Sequence, residues 1–238
     1  MEQKIVLITG ANRGIGKAIS HYFASKDYQL IFISRTKAGV ENFIDELKDS
    51  FPYLSNVIVY ESDLADAFSL KNALSEIIKN HPRIDVLINN AGIYQSGTIV
   101  GEIEDFKKVM EINVNAPMQI LKSIVPLMKK QQSGYIFNVA SRAGKIGFAE
   151  SGTYASSKFA LVGLSESLYR ELATENIKVT ALCPSYVNTT MAIDAGADID
   201  PKEMIQTVDL ANTIDYLLGL SPAALVKEVV IECRYAVG

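Results

Sequence analysis

Short apolar runs recur along the chain, at 5–8, 30–33, 57–60, 86–88, 135–139, 179–183 and 229–231. Most are rich in Val and Ile and lack strict alternation, the pattern of strands covered on both faces, as in a parallel sheet. Amphipathic stretches lie between them at 15–26, 39–49, 67–80, 103–130 and 155–175, with a shorter one near 209–219. Strand alternating with helix predicts βαβ units with right-handed crossovers. The expected fold class is therefore α/β, a doubly wound parallel sheet of about seven strands with helices on both faces. No repeat, low-complexity tract or linker interrupts the pattern, which predicts one domain over residues 1–238. Segment 188–201 is small and polar, and reads either as a mobile lid or as an ordinary irregular connection.

Composition narrows the class. The 238 residues are 48% hydrophobic and 21% charged, as in a soluble globular domain. That excludes disorder, collagen-like repeats and disulfide scaffolds. The balance of 23 basic against 27 acidic residues weighs against a nucleic-acid or anionic-membrane surface. Cys183 and Cys233 sit inside apolar runs and read as buried, reduced thiols, consistent with a cytoplasmic setting. His21 and His81 lack zinc-like spacing, so no metal is expected. The first apolar run stops at Thr9-Gly10. A leader peptide needs roughly 7–15 apolar residues and a membrane helix roughly 18, so neither is expected.

The first run leads directly into Thr9-Gly10-Ala11-Asn12-Arg13-Gly14-Ile15-Gly16, and a helical pattern follows at Ile15, Ala18, Ile19, Tyr22 and Phe23. Strand, glycine turn and helix form the context of a dinucleotide site. There a pyrophosphate approaches backbone N–H groups at a helix N-terminus, where a Cβ would obstruct it. A nucleotide-triphosphate loop is excluded, because Gly16-Lys17 is followed by Ala18 and position 11 is Ala.

The end of the second strand should meet the adenosine ribose, where a carboxylate selects NAD. This chain has Ser34-Arg35-Thr36 there, and Arg13 offers a second guanidinium. Arginines suit a 2′-phosphate through charge-assisted, often bidentate contacts. At about 1.5–3 kcal/mol per bond, each is worth roughly a 10- to 150-fold preference. NADP(H) is expected over NAD(H).

Tyr154-Ala155-Ser156-Ser157-Lys158 puts a phenol and an ammonium on one helix face. A free phenol titrates near pH 10, too high for an efficient acid at neutrality. Lowering that value by about 3 needs roughly 4 kcal/mol, which a cation ~4 Å away supplies at an effective dielectric of ~20. Lys158 and an oxidised nicotinamide are the candidate cations, so an acidified Tyr154 is expected.

Taken together, these segments resemble the short-chain dehydrogenase/reductase family of the single-domain, Rossmann-type kind. The resemblance runs from Thr9 to about Thr189. The family's glycine pattern is met by Thr9 to Gly16, and its Asn-Asn-Ala-Gly pattern by Asn89-Asn90-Ala91-Gly92. Its adenine-contacting acid matches Asp63, followed by Leu64; its helix asparagine matches Asn113; its serine, thirteen residues before the tyrosine, matches Ser141. The resemblance implies NADPH-dependent reduction of a ketone or aldehyde, or a 3-oxoacyl thioester or sepiapterin-type reductase in particular. It implies a cofactor cradle of Gly10, Asn12, Arg13, Gly14, Ile15, Gly16, Ser34, Arg35, Asp63, Leu64, Asn90, Ala91 and Gly92. Pro184, Val187 and Thr189 would meet the nicotinamide carboxamide. Tyr154 would be the acid and Ser141 the donor that holds the carbonyl oxygen. Lys158 would bind ribose hydroxyls and lower the phenol's pKa. Asn113 would hold a water linking Lys158 to solvent, or act only as a cap or kink residue near Pro117. Asp63 also suits a helix N-cap.

The chain departs from the family at Cys183-Pro184-Ser185, where Pro-Gly is usual, which puts cofactor or substrate fit at Ser185 in doubt. The substrate is expected over Ser141 and Tyr154, against Ile93, Tyr94, Ile146, Phe148, Tyr186 and Met191. Arg142 and Lys145 could greet an anionic substrate or be solvated surface charges. The long stretches 103–130 and 155–175 suggest a homo-oligomer, a dimer or tetramer. The contrasting classes are a non-catalytic NADP(H) sensor on the same fold and a methyltransferase; neither needs the Asn113, Ser141, Tyr154 and Lys158 set.

Overall fold

The computed structural model describes residues 3–54 and 57–237. Met1 and Glu2, on which the leader expectation partly rests, lie outside the described residues. Each apolar run is a strand: β1 Ile5–Thr9, β2 Gln29–Ser34, β3 Val57–Glu61, β4 Val86–Asn89, β5 Gly134–Val139, β6 Ile177–Pro184 and β7 Glu228–Ile231. They pair in parallel in the order β3-β2-β1-β4-β5-β6-β7. The helices are α1 Gly14–Ser25, α2 Ala38–Ser50, α3 Ala67–Asn80, α4 Ile103–Met110, α5 Ala116–Gln131, α6 Gly152–Leu172, α7 Thr190–Asp194 and α8 Thr207–Gly219.

The unalternating strands have their cause in two cores. Val6 and Ile8 pack on one face with Ile19 and Phe23 of α1, Phe43 and Leu47 of α2, and Ile214 and Leu217 of α8. Leu7 packs on the other with Leu70, Leu74 and Ile77 of α3, Ile120 and Ile124 of α5, and Leu172 of α6. Phe23, Phe32 and Phe137 are fully buried, each contributing about 1.5–3 kcal/mol of transfer free energy. Strand β1 lies between β2 and β4, so the connections leaving β1 and β4 depart in opposite directions. That reversal opens a crevice beyond the carboxyl ends of both strands.

Two stretches differ from the sequence pattern. The 103–130 stretch is not one helix, because a π-helical turn, Glu111–Asn115, separates α4 from α5. Pro117 has no N–H to give to the carbonyl of Asn113 four residues earlier, so the α-helical ladder cannot run through. Segment 188–201 contains the short helix α7, capped by Thr189, whose hydroxyl accepts from the Ala192 N–H at 3.4 Å.

The N-cap of α3 is Asp66, not Asp63. Its carboxylate accepts from the N–H groups of Phe68 at 2.9 Å and Ser69 at 3.0 Å. Asp63 instead takes the Ala65 N–H at 2.9 Å, a local turn that leaves it exposed at the crevice. Asp66→Ala should cost about 1 kcal/mol, lowering the melting temperature by roughly 2–4 °C with cofactor affinity unchanged. Calorimetry and a cofactor titration check this.

Candidate functional site

The floor of the crevice is held by hydrogen bonds between the ends of β1 and β4. The Thr9 hydroxyl accepts from the N–H groups of Asn90 at 3.1 Å and Ala91 at 3.0 Å. The Asn90 side-chain amide donates to the carbonyls of Thr9 at 3.0 Å and Gly10 at 2.9 Å. Gly10 has φ +66°, a left-handed conformation that a side chain would strain. A side chain at Gly16 would run into the Gly10 carbonyl and the Asn90 amide, so α1 can start this close to β1 only with glycine there. The Asn12 amide donates to the Gly39 carbonyl at 2.7 Å, fixing the turn against α2.

A cavity of about 1300 Å³ extends over this floor. It is lined by Gly10, Asn12, Arg13, Gly14, Ile15, Ser34, Arg35, Asp63, Leu64, Asn90, Ala91, Gly92, Ser141, Tyr154, Lys158, Pro184, Val187 and Thr189. Two residues singled out in the sequence lie behind the lining. Gly16 is packed under the turn. Asn113 is 1% exposed. Its amide brackets the backbone of Ile93, accepting from the N–H and donating to the carbonyl, each at 2.9 Å, and it donates to the Ser157 hydroxyl at 3.0 Å.

At one end, Arg13 and Arg35 are exposed and have no ion-pair partner among the described residues. The Ser34 hydroxyl donates to the Thr36 carbonyl at 3.1 Å. The neighbouring carboxylate, Glu61 at the end of β3, is engaged by the Lys37 N–H at 2.7 Å.

At the other end, α6 presents Tyr154 and Lys158 together. The Lys158 ammonium is buried, donates to the Val139 carbonyl at 2.9 Å and lies 5.5 Å from the centre of the Tyr154 ring. The electrostatics differ from the expectation of an acidified phenol. Burial pushes Tyr154 up to about 12, against a smaller downward pull from its hydrogen bond with Ser141. Burial also pushes Lys158 down to about 8. Desolvation dominates both groups, and the ammonium gives one N–H to the Val139 carbonyl. Ser141 caps the short turn Arg142–Gly144, accepting from the Ala143 N–H at 3.1 Å.

Lys145 is an exposed surface charge, one of the two readings, whereas Arg142 fits neither. Arg142 is buried and pairs with Glu232 at 3.2 Å, and Lys145 pairs with Glu228 at 2.9 Å. Ser185 lines the cavity, and its N–H donates to the Ile231 carbonyl at 2.8 Å, continuing the β6–β7 pairing. Thr189 crosses to the glycine turn, where a Cβ at Gly14 would stand 3.1 Å from its methyl.

Sequence reasoning missed Ser157, whose hydroxyl donates to the Tyr154 carbonyl at 2.7 Å while receiving Asn113. Its place three residues after Tyr154 was the available signal. It also missed the contact of Tyr94 with Tyr154, edge-to-face at 5.2 Å between ring centres.

The profile of the family described as short chain dehydrogenase matches residues 4–200. The chain belongs to this family. The short-chain dehydrogenase is 33% identical over 192 residues to the 3-oxoacyl-acyl-carrier-protein reductase FabG of Thermotoga maritima, covering 80% of this chain and 77% of that one. It is similar to the solved betaketoacyl-ACP reductase, FabG, from Bacteroides thetaiotaomicron, with 41% identity, a TM-score of 0.87 and 99% of each chain covered. It also superposes on ElxO with NADP bound, with 30% identity, a TM-score of 0.85 and 98% and 97% of the two chains covered. Membership makes the chain an oxidoreductase. Among the described residues, no helix is long and apolar enough to cross a membrane, and no three His, Cys, Asp or Glu residues cluster as metal ligands.

The lysine of this dehydrogenase gives a pH test. Lys158 loses its proton near pH 8 when folded, against an ordinary 10.5. Between those values the unfolded chain binds more protons, so stability rises with pH. Relative to Lys158→Met, the ligand-free wild type should gain about 2 kcal/mol between pH 7 and pH 10. Urea unfolding at the two pH values measures it; a constant difference would show that the ammonium is not desolvated.

Proposed function

We propose that the chain is an NADP(H)-dependent reductase that converts a ketone or aldehyde to an alcohol, with Tyr154 as the proton donor. The observation that carries this reading is the meeting of Tyr154, Ser141 and Lys158 at one end of a single cavity, with the glycine turn and two guanidiniums at the other. The residues fit the dinucleotide. Gly10, Gly14 and Gly16 keep Cβ atoms out of a backbone cradle at the start of α1, suited to a pyrophosphate. Arg13 and Arg35 suit a 2′-phosphate, and no carboxylate stands at the end of β2 to select a free hydroxyl. Asp63 and Leu64 would flank the adenine, with Pro184, Val187 and Thr189 near the carboxamide.

A bound NADPH supplies the hydride. Tyr154 then gives its proton to the developing alkoxide. With burial holding its pKa at about 12, the phenol is fully protonated at neutral pH. It is still a far stronger acid than an aliphatic alcohol, roughly as weak as water near 15.7, so transfer runs downhill. Ser141, hydrogen-bonded to Tyr154, holds the carbonyl oxygen in reach. Lys158 commits one N–H to Val139 and keeps two for ribose hydroxyls and a water. Pro117 leaves the Asn113 carbonyl without its α-helical donor, an acceptor suited to that water.

Two substrate readings stand. The 41% identical FabG supports a 3-oxoacyl thioester. The engagement of Arg142 and Lys145 by Glu232 and Glu228 instead supports an uncharged ketone against Tyr94, Phe148, Tyr186 and Met191. Exposed Ile103, Phe106, Met118 and Phe159 on α4, α5 and α6 support a homo-oligomer.

Tyr154→Phe should lower kcat by roughly 10²–10⁴-fold or more while leaving NADPH affinity nearly unchanged. Full turnover in that variant refutes Tyr154 as the acid. Wild type should prefer NADPH to NADH by at least about 10-fold in KM, and Arg35→Ala should erase most of the difference. An NADPH-oxidation screen over ketones, diketones, pterins and acyl thioesters assigns the substrate; tight cofactor binding with no turnover would indicate a sensor.

A further inference from the structure

Two segments wall the substrate end of the cavity. One follows β5, at 141–148, and carries Ser141 and Phe148; the other follows β6, at 185–206, and carries Tyr186, Val187 and Met191. We propose that the stretch after β7, residues 232–236, is a strap that sets the spacing of these two walls, and that Arg142 is the positioning residue through which it holds the first. The proposal rests on the site assignment above.

Arg142 directly follows Ser141, and its guanidinium is largely withdrawn from solvent, with 8% exposure. A buried charge needs partners, and the strap supplies them. Nε stands 3.2 Å from the Glu232 carboxylate, and Nη1 donates to the Ala236 carbonyl. The guanidinium also lies 5.5 Å from the centre of the Phe148 ring, a cation–π distance that ties the far end of the same wall to the same group. The Arg142 carbonyl accepts from the N–H groups of Lys145 at 2.8 Å and Ile146 at 3.2 Å. Holding the side chain therefore holds the turn that aims Ser141.

The same stretch grips the second wall. Cys233 is buried against Val187, Ile205 and Leu210. Its thiol donates to the Glu203 carbonyl at 3.5 Å. Ala236 packs on the same cluster, together with Tyr186 and Ile199. Three residues of one five-residue stretch, Glu232, Cys233 and Ala236, thus reach both walls, which belong to different crossovers of the sheet. A shift of the strap moves Ser141 and Phe148 relative to Tyr186 and Val187, while the α3 face of the sheet, whose core is separate, is untouched.

The test is hydrogen–deuterium exchange on the full-length, ligand-free chain, comparing wild type with R142M and with E232Q. The Glu232 side chain is partly exposed, so its variant retains the fold even if R142M does not. Peptides covering both 142–148 and 186–206 should exchange at least about 10-fold faster in R142M, and by a smaller factor in E232Q, with peptide 67–80 of α3 unchanged. NADPH affinity by fluorescence titration should fall less than about 10-fold, because Val187 and Thr189 loosen while Arg13 and Arg35 at the far end of the cavity remain. Loosening of 142–148 alone, or of neither segment, overturns the strap. For any carbonyl that wild type reduces, its KM should rise about 10-fold in R142M and clearly more than the KM for NADPH; an equal loss for both marks a merely structural arginine. R142K, which keeps the charge but not the fork, should recover only part of the loss. If wild type reduces no carbonyl, the functional reading fails on that result, and the exchange data still decide the strap.

Discussion

The reversal of strand order across β1 and β4 is the constraint on which the rest depends. A parallel sheet with both faces covered leaves no room for a ligand within its layers, so the crevice opens where the crossovers part. Keeping it open while holding the two strand ends together falls to short polar side chains. Thr9 and Asn90 do this with four hydrogen bonds between them and the adjoining backbone. Gly16 then lets α1 begin almost in contact with the Gly10 carbonyl. The N-terminal end of that helix consequently faces the crevice, which α6 closes from the other end with Tyr154 and Lys158.

The fold was legible because its strands are buried on both sides and its helices on one. Those are the two burial patterns that hydropathy records directly, and all seven runs became strands. The glycine turn and the Tyr154/Lys158 pair were legible because their function depends on local spacing. The π-turn was only hinted at by a kink reading of Asn113 near Pro117, since the apolar stripe of α4 and α5 continues on either side of it. Helix α7 is too short for any period to emerge. The partners of Lys145 and Arg142 were beyond reach for another reason: Glu228 lies 83 residues away and the Ala236 carbonyl 94 residues away from the cations they hold.

The site's electrostatics follow the same division. Spacing says that a phenol and an ammonium share a helix face; only the fold says how much water each retains. Removal of water moves the two groups in opposite directions, the phenol towards its neutral form and the lysine towards its own. Both are thereby brought nearer to an uncharged pair. The charge that would reverse this belongs to whatever fills the cavity.

The pairing of Lys145 with Glu228 and of Arg142 with Glu232 constrains how this enzyme could be re-engineered. Grafting another protein's residues 142–148 onto this scaffold would strip two carboxylates of their counterions at the sheet's edge. A chimera would have to carry the last strand and the residues beyond it along with the loop. In evolutionary drift the two stretches would be expected to change as a unit despite their distance in the chain.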